Sequence, residues 1–370
     1  MKVVVLGATG DMGRRAAVEL GRSPEVTQLT LAGRNLAKAQ SLAREIGGPA
    51  QAVQVDANDP ASLVEVMAGH DVAAGAIGPF YLYEAAAAKA AIEAGVPYVS
   101  ICDDHDAVLE VLKLDRLAKE RGVTVLTGAG WTPGLTNMMA KKGVGMLDQA
   151  REIDISWVGA SADAEGFAVI LHTLHILTGE VPTFRGGKHT TIKAGTEPKR
   201  VRFPEPIGTV TVRHVGHPEP VTIPRFIPGL QQVALRGGLT ESFLNTLGLL
   251  VARLGLTRTP KRKERLARLM KPLLPLLEKI GRPAQPLSGA HVEVRGIKDG
   301  RPARVELAAV DRMMNLTAIP HVVAALMVGR REVHHPGVIA PEAPGGPDPE
   351  RFLAAVAELG VAVDVRLMVD

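Results

Sequence analysis

The sequence predicts an α/β chain: an N-terminal doubly wound Rossmann domain, an inserted α+β mixed-sheet domain, and a C-terminal return to the Rossmann domain. Three observations carry the Rossmann domain and the change to a mixed-sheet region after it. Val3 to Leu6 is a short aliphatic run that breaks into Gly7-Ala8-Thr9-Gly10-Asp11-Met12-Gly13 and resumes at Arg14 as a helical pattern. Six strand-like runs then alternate with helical segments before residue 135, the rhythm of a parallel sheet with crossover helices. Beyond residue 140 that rhythm gives way to sheet-rich segments. A chain of 370 residues is long enough for two domains. We expect a dinucleotide domain at 1–135, a second, sheet-rich domain at 136–312, and a closing segment at 313–370.

Composition narrows the function. Hydrophobic residues make up 46% and charged residues 22%, ordinary for a chain with a real core. A formal charge of +4 and 3% aromatics argue against nucleic acid, which calls for a basic footprint and stacking rings. The single cysteine, Cys102, excludes an intrachain disulfide and fits a reducing, cytoplasmic setting. The chain runs straight into a strand, with no signal-peptide pattern, and no apolar run is long enough to span a bilayer.

Taken in order, the first strand, turn and helix form a phosphate-binding unit. Gly7 permits the tight turn, Gly10 lets backbone approach a pyrophosphate, and Gly13 lets the helix pack on the strand. Thr9, Asp11 and Met12 complete the loop at the helix N-terminus, where free N–H groups and the dipole favour an anion. The spacing is GxxGxxG, one residue longer than GxGxxG between its first two glycines. An ordinary strand-to-helix turn is the bland alternative; the strand before and the helix after favour the cofactor.

Val26 to Ala32 reads as the second strand, ending at Gly33-Arg34-Asn35. Arg34 stands where an acidic residue would take the ribose hydroxyls of NAD, with Lys38 one turn on and no acid nearby in sequence. A cation there suits a 2′-phosphate, so NADP is expected over NAD. A helix Leu36 to Ile46 leads to a strand Ala52 to Val55, and Asp56 closes it in the loop near the adenine. Asp59-Pro60 opens the next helix as cap and first-turn proline. The fourth strand, Asp71 to Ile77, ends in Gly78-Pro79-Phe80, which would border the nicotinamide half.

A helix Glu84 to Ala94 precedes the fifth strand, Pro97 to Ile101. Cys102 reads as a small buried hydrophobe. Asp103 or Asp104 reads as the N-cap of a helix Ala107 to Arg121, with one carboxylate able to reach the crevice. After the sixth strand, Val123 to Thr127, comes Gly128-Ala129-Gly130-Trp131-Thr132-Pro133-Gly134-Leu135-Thr136-Asn137. Trp131, Thr132 and Asn137 are expected to wall the substrate, with Trp131 in the cleft between domains and Asn137 capping the helix that follows. A structural hinge whose tryptophan merely packs in the domain interface is the alternative.

Several of these motifs resemble the saccharopine dehydrogenase-like oxidoreductases, a family that includes saccharopine reductases, lysine 6-dehydrogenases and carboxynorspermidine dehydrogenases. They are Gly7-x-x-Gly10-x-x-Gly13, Ala32-Gly33-Arg34, Gly78-Pro79-Phe80, Gly95-Val96-Pro97-Tyr98-Val99 and the Gly130 to Asn137 loop. Thr317-Ala318-Ile319-Pro320 and Gly337-Val338-Ile339-Ala340-Pro341-Glu342 extend the likeness toward the C-terminus. Ser100 departs from it, since many relatives carry Asp there. The resemblance implies NAD(P)-dependent hydride transfer at a carbon–nitrogen centre of an amino acid or related imine. It also implies that 136–312 is an inserted open-faced mixed sheet for substrate binding and dimerisation, to which His217-Pro218-Glu219-Pro220-Val221-Thr222 contributes, and that 313–370 returns to pack on the dinucleotide domain.

In that second region Ile153 to Val158, Thr209 to His214, Val221 to Ile223, His291 to Arg295 and Arg304 to Val310 read as strands, with Lys298-Asp299-Gly300 as a hairpin turn. His172 and His175 lie three apart on one helical face. No third ligand of matching type is close, so no metal is expected and both read as core or crevice histidines. Phe243 to Leu256 carries an apolar stripe, and Lys261-Arg262-Lys263-Glu264-Arg265 opens a basic amphipathic segment interrupted by Pro272 and Pro275. A packed helical excursion or a dimer contact is preferred here to contact with an anionic membrane surface. Helices from Thr317 and Glu350 and a strand reaching Val369 finish the chain.

Hydride chemistry at an amine or imine requires a proton relay, for which Asp103, His172 and His175 are the candidates. The leading expectation is an NADP-dependent homodimeric enzyme with a small-molecule substrate. Two other readings stand beside it: a regulator that senses NADPH without turnover, and a membrane-associated reductase of a lipid-like substrate.

Overall fold

The computed structural model describes residues 1–163, 167–257, 259–270 and 286–370. The chain divides into two compact units, Met1–Leu135 with Thr317–Leu359, and Thr136–Leu316 with Gly360–Asp370.

The first unit is built on a parallel sheet of β1 (Lys2–Leu6), β2 (Gln28–Gly33), β3 (Ala50–Gln54), β4 (Val72–Gly75), β5 (Tyr98–Ser100), β6 (Thr124–Leu126) and β15 (Gly337–Ile339). Their order is β15-β6-β5-β4-β1-β2-β3, a doubly wound sheet whose direction of winding reverses between β1 and β4. Val3 to Leu6 is wholly buried, as the unbroken aliphatic run requires of a strand covered on both faces. The helix Asp11–Arg22 buries Gly13, Ala16, Ala17 and Leu20, a stripe of helical spacing. Asn35 caps the helix Leu36–Ile46 through the Lys38 N–H, and Asp59 caps Pro60–Met67 with Pro60 at its first turn. The helix Met313–Gly329 is largely apolar, and Ala318 to Val328, His321 included, are all buried.

Two expectations change here. The helix expected from Ala107 to Arg121 is two helices, His105–Leu112 and Asp115–Arg121. They part where Lys113 and Leu114 donate to carbonyls three residues back, which tightens the turn. Gly337–Ile339, legible only as a motif, is a seventh strand paired with β6.

The second unit holds β7 (Gln149–Gly159), β8 (Glu180–Arg185), β9 (Lys188–Lys193), β10 (Lys199–Arg202), β11 (Thr209–His214), β12 (Gln232–Leu239), β13 (Ser288–Lys298), β14 (Arg301–Asp311) and β16 (Asp364–Val369). The order is β10-β11-β12-β7-β13-β14-β16, with β8 pairing β12 and β9 pairing β8. β7 and β12 run parallel and the other pairs are antiparallel, so the sheet is mixed. Asp299 and Gly300, both at positive φ, turn the β13–β14 hairpin, as its sequence requires. β16 pairs with β14, which is why Gly360–Asp370 cluster with this unit while Thr317–Leu359 cluster with the first.

Val221 to Ile223 is not a strand but part of the helix Glu219–Phe226. Pro220 at its first turn and an acid at its start are helix-opening signals that outweigh two β-branched residues. β12 has no counterpart in the sequence reading because Gly237-Gly238 interrupts its pattern. Those glycines have a packing reason: a Cβ on Gly237 would lie 2.7 Å from the Trp157 Nε1 and closer to its ring carbons. The apolar-basic stretch forms the helices Ser242–Arg253 and Pro260–Met270. Ala267 is buried among Ile170, Leu171 and Leu174, so the second of these is packed on the helix Phe167–Ile176. Pro272 and Pro275 lie outside the described residues. No described helix is long and apolar enough to cross a membrane.

Candidate active site

The loop after β1 is fixed by backbone. Gly7 and Ala8 donate their N–H groups to the Ala32 carbonyl, at 2.9 and 3.2 Å. Gly7 has φ +79, and a Cβ there would lie 2.5 Å from the Ala76 carbonyl oxygen. A Cβ on Gly13 would lie 2.8 Å from the Gly7 carbonyl carbon and closer still to its oxygen. The strand end, the helix start and the segment after β4 are thus in direct backbone contact, and only glycine fits at the two ends of the loop. Gly10 caps the helix Asp11–Arg22 without a side-chain bond. The first intrahelical bond is Arg14 N–H to Gly10 carbonyl at 2.8 Å, which leaves the N–H groups of Asp11, Met12 and Gly13 without an intrahelical acceptor. Such an N-terminus is a ready anion site. The residues present therefore fit a dinucleotide pyrophosphate.

Around this loop, Thr9 packs over Gly33, where a Cβ would lie 3.2 Å from its Oγ1. Arg34 and Lys38 are exposed, and the Arg34 carbonyl accepts from Gln54 Nε2 at 3.1 Å. No acid is close to Arg34 in sequence, but one interacts with it through space: Asp56. Its carboxylate is held below its usual range by the Asn58 N–H and side-chain amide, and Arg34 adds a smaller attraction. The loop after β3 brings that acid close, a relation invisible over 22 residues of sequence. Gly78 and Pro79 follow the Ala76–Ile77 backbone that Gly7 touches, and Phe80 opens the helix Phe80–Ala94.

Sequence reasoning missed Glu84. It sits one turn into that helix with its carboxyl buried, accepting from Ser100 Oγ at 2.5 Å and Tyr98 Oη at 3.1 Å. Burial pushes it up to about 7, against the two hydrogen bonds, and Asp103 and Asp104 push the same way. Gly75 makes room for the phenol, since a Cβ there would lie 2.6 Å from Tyr98 Cζ. The signal in the sequence was Ser100, the departure from the family pattern, which faces this carboxyl. Burial also drives the Cys102 thiol well up, so it is no nucleophile.

Asp104 occupies the N-cap of His105–Leu112 but makes no side-chain cap there. Its Oδ2 instead accepts the Tyr81 N–H at 3.0 Å, tying the loop to the helix Phe80–Ala94. Asp103 is half-buried beside it. The Gly128–Gly134 loop closes on itself: Gly130 donates to the Pro133 carbonyl at 2.9 Å and Leu135 to the Gly130 carbonyl at 2.8 Å. Trp131 and Thr132 are both buried within it.

The second unit carries a different polar cluster. Asn137 is buried in the first turn of the helix Leu135–Gly145 rather than capping it. Its neighbour Thr136 donates to Glu219 Oε1 at 3.0 Å. The other oxygen of Glu219 lies 3.7 Å from His217 Nδ1. The His217 ring stands edge-on to His172, with centroids 5.3 Å apart, and tilted to Trp157 at 5.4 Å. Glu219 and His217 are buried, while His172 is half-buried. His175 goes elsewhere: its Nδ1 accepts from Lys263 Nζ at 2.6 Å. The two histidines that spacing put together therefore meet different partners.

A family model for the saccharopine dehydrogenase NADP-binding domain matches residues 3–126. Over that stretch the chain is similar to the NADP-binding domain of the saccharopine dehydrogenases. A carboxyaminopropylagmatine dehydrogenase from Synechocystis is 22% identical over 392 aligned positions, covering 97% of this chain and 96% of that protein. A lipid droplet localized protein of Caenorhabditis elegans is 32% identical over 139 residues, 35% of this chain and 33% of its own length. The chain thus spans about a third of that relative. Among solved structures, saccharopine dehydrogenase (L-Glu forming) from Saccharomyces cerevisiae superposes with a TM-score of 0.70 at 16% identity, covering 99% of each chain. That likeness is one of fold.

Proposed function

We propose that this chain is an NADP-dependent oxidoreductase that transfers hydride at a carbon–nitrogen centre of an amino acid, a polyamine-like amine, or the related imine. The glycine-fixed loop, with three N–H groups at the helix start that lack an intrahelical acceptor, is the observation that carries the reading. Asp11, Met12 and Gly13 would hold the pyrophosphate, Thr9 and Gly10 would shape the approach, and Arg34 would take the 2′-phosphate. Asp56 lies on the adenine side of that arginine, and Gly78, Pro79 and Phe80 border the nicotinamide half. Bound there, the cofactor supplies or takes up the hydride.

The chain's own residues have three tasks: to hold the substrate, exclude water and move a proton. Trp131, Thr132 and Asn137 are the proposed substrate residues. Asp103 and His172 are the proposed proton carriers, and His175 is set aside because Lys263 engages it. The name of the Synechocystis relative, a dehydrogenase of a carboxyaminopropyl amine, supports an amine over an alcohol. A homodimer formed through the mixed sheet and a cytoplasmic location, consistent with the lone buried cysteine, belong to the same proposal.

The test is a screen of NADPH oxidation with keto acids plus amino acids or diamines, and of NADP reduction with amines alone. Turnover dependent on an amine supports the proposal. Tight NADPH binding with no turnover on the whole panel would leave the regulator reading in its place.

A further inference from the structure

We propose that Glu219, His217 and His172 form a proton-transfer chain within the second unit, in which His172 exchanges the proton with substrate nitrogen and the other two are positioning residues. This rests on the amine reading above and adds residues to it. The three side chains come from separate places in the sequence yet stand in succession, Glu219 beside His217 and His217 against His172. Glu219 is wholly buried at the start of the helix Glu219–Phe226. Its Oε1 is anchored by the Thr136 hydroxyl at 3.0 Å, which leaves Oε2 toward His217 Nδ1 at 3.7 Å. His217 in turn meets His172 edge-on, and His172 alone of the three is half-buried rather than buried. The chain therefore runs from a fixed interior carboxylate to an imidazole with access to the surroundings.

The chemistry accounts for each member. When hydride adds to the carbon of an imine, its electron pair forms the new C–H bond and the C=N π pair moves to nitrogen. A proton from His172 then completes the N–H bond, and His172 is left neutral. His217, held beforehand as an imidazolium by Glu219, can pass its proton to the neutral His172 through rotation or one water and is itself left neutral. In the oxidative direction each transfer reverses. A packing role alone would not call for a buried carboxylate beside an imidazole, since an unpaired charge there is costly. Trp157, held against Gly237, forms the apolar wall on the other side of His217. Within the second unit His175 is engaged by Lys263, Arg236 by Asp154 and Arg185 by Glu197.

The experiment uses the full chain and three variants, Glu219→Gln, His217→Asn and His172→Gln, each first checked for wild-type melting. Glu219→Gln keeps the acceptor for Thr136 and removes only the charge. With the amine substrate identified by the screen, His172→Gln should lower kcat about 100-fold or more, with KM for NADPH unchanged. Glu219→Gln should lower kcat about 10-fold and shift the pH profile, and Glu219→Asp should recover part of the loss. Folded Glu219→Gln and His172→Gln that both keep kcat within about threefold, on the wild-type pH profile, would overturn the chain. Imidazole NMR reads it without turnover: the His172 titration should move to lower pH in Glu219→Gln. If the wild type turns over nothing on the panel, the amine reading fails. An unmoved His172 titration would remove the relay in that case too.

Discussion

The dinucleotide loop of the first unit and the acid–imidazole cluster of the second solve opposite problems. The loop meets its ligand with backbone: glycines at φ +79 and at the helix start bring carbonyls and N–H groups into contact, and the charge it offers is a helix dipole. The cluster uses side chains largely taken out of water, a carboxylate, two imidazoles and an indole gathered from three elements and a loop. In the loop shape comes first and one added carbon atom is enough to destroy it. In the cluster charge comes first, and an isosteric change leaves the shape while removing the chemistry. Glu84 is instructive because it places a desolvated side chain of the second kind inside the first unit.

The largest effect should therefore come from Gly13→Ala. Its methyl group would enter the Gly7 carbonyl, a backbone obstacle that cannot rotate away. We expect a loss of about 3 kcal/mol together with most of the dinucleotide affinity, read by thermal unfolding and NADPH fluorescence. If Gly13→Ala binds NADPH like the wild type, steric precision is not what builds the loop.

Glu84→Gln sharpens the comparison through pH. The Glu84 carboxyl is raised from 4.5 to about 7 in the folded chain, so the folded state holds its proton more tightly than the unfolded one. The stability this contributes is full below pH 4.5 and is lost as pH rises through 7. Between pH 5 and pH 8 the wild type should lose about 2.5 kcal/mol relative to Glu84→Gln. Urea unfolding at the two pH values measures it, and parallel pH dependences would mean that Glu84 is ionised or solvated in the fold.

Gly237→Ala should have the smallest effect, about 1–2 kcal/mol. Its added methyl group meets the Trp157 ring, a side chain able to shift a little. The tilt of that indole against His217 would change with it, so near-ultraviolet circular dichroism should alter while NADPH binding stays at the wild-type level. Loss of NADPH binding in this variant would contradict the independence of the two regions.

How much of this was legible follows from how each region is assembled. Gly7, Gly10 and Gly13 lie within one turn and one helix start, so spacing alone announces their geometry. The alternation of strands and helices likewise fixed the first sheet, apart from the short β15 strand far along the chain. Asp56 and Arg34 come from successive strand ends, and only the sheet order β2-β3 makes them neighbours. Thr136 and Glu219 are 83 residues apart, and nothing local in either stretch points to the other. His172 and His175 show the converse. Helical spacing put them on one face, but packing gave one to His217 and the other to Lys263. The glycine pair in β12 concealed a strand for the reason that it exists, to let Trp157 lie close.

The most direct test of the account is a titration of NADPH and NADH into the wild type and Arg34→Ala. The backbone loop serves both cofactors alike, and the Arg34 guanidinium is the group assigned to choose between them. The wild type should bind NADPH more tightly, and Arg34→Ala should lose about 1.5–3 kcal/mol of NADPH affinity, roughly 10- to 150-fold. Its NADH affinity should change by less than about threefold, since no 2′-phosphate is present to miss the charge. Equal NADPH affinity in the two proteins would contradict the assignment of this loop and its arginine as an NADP site.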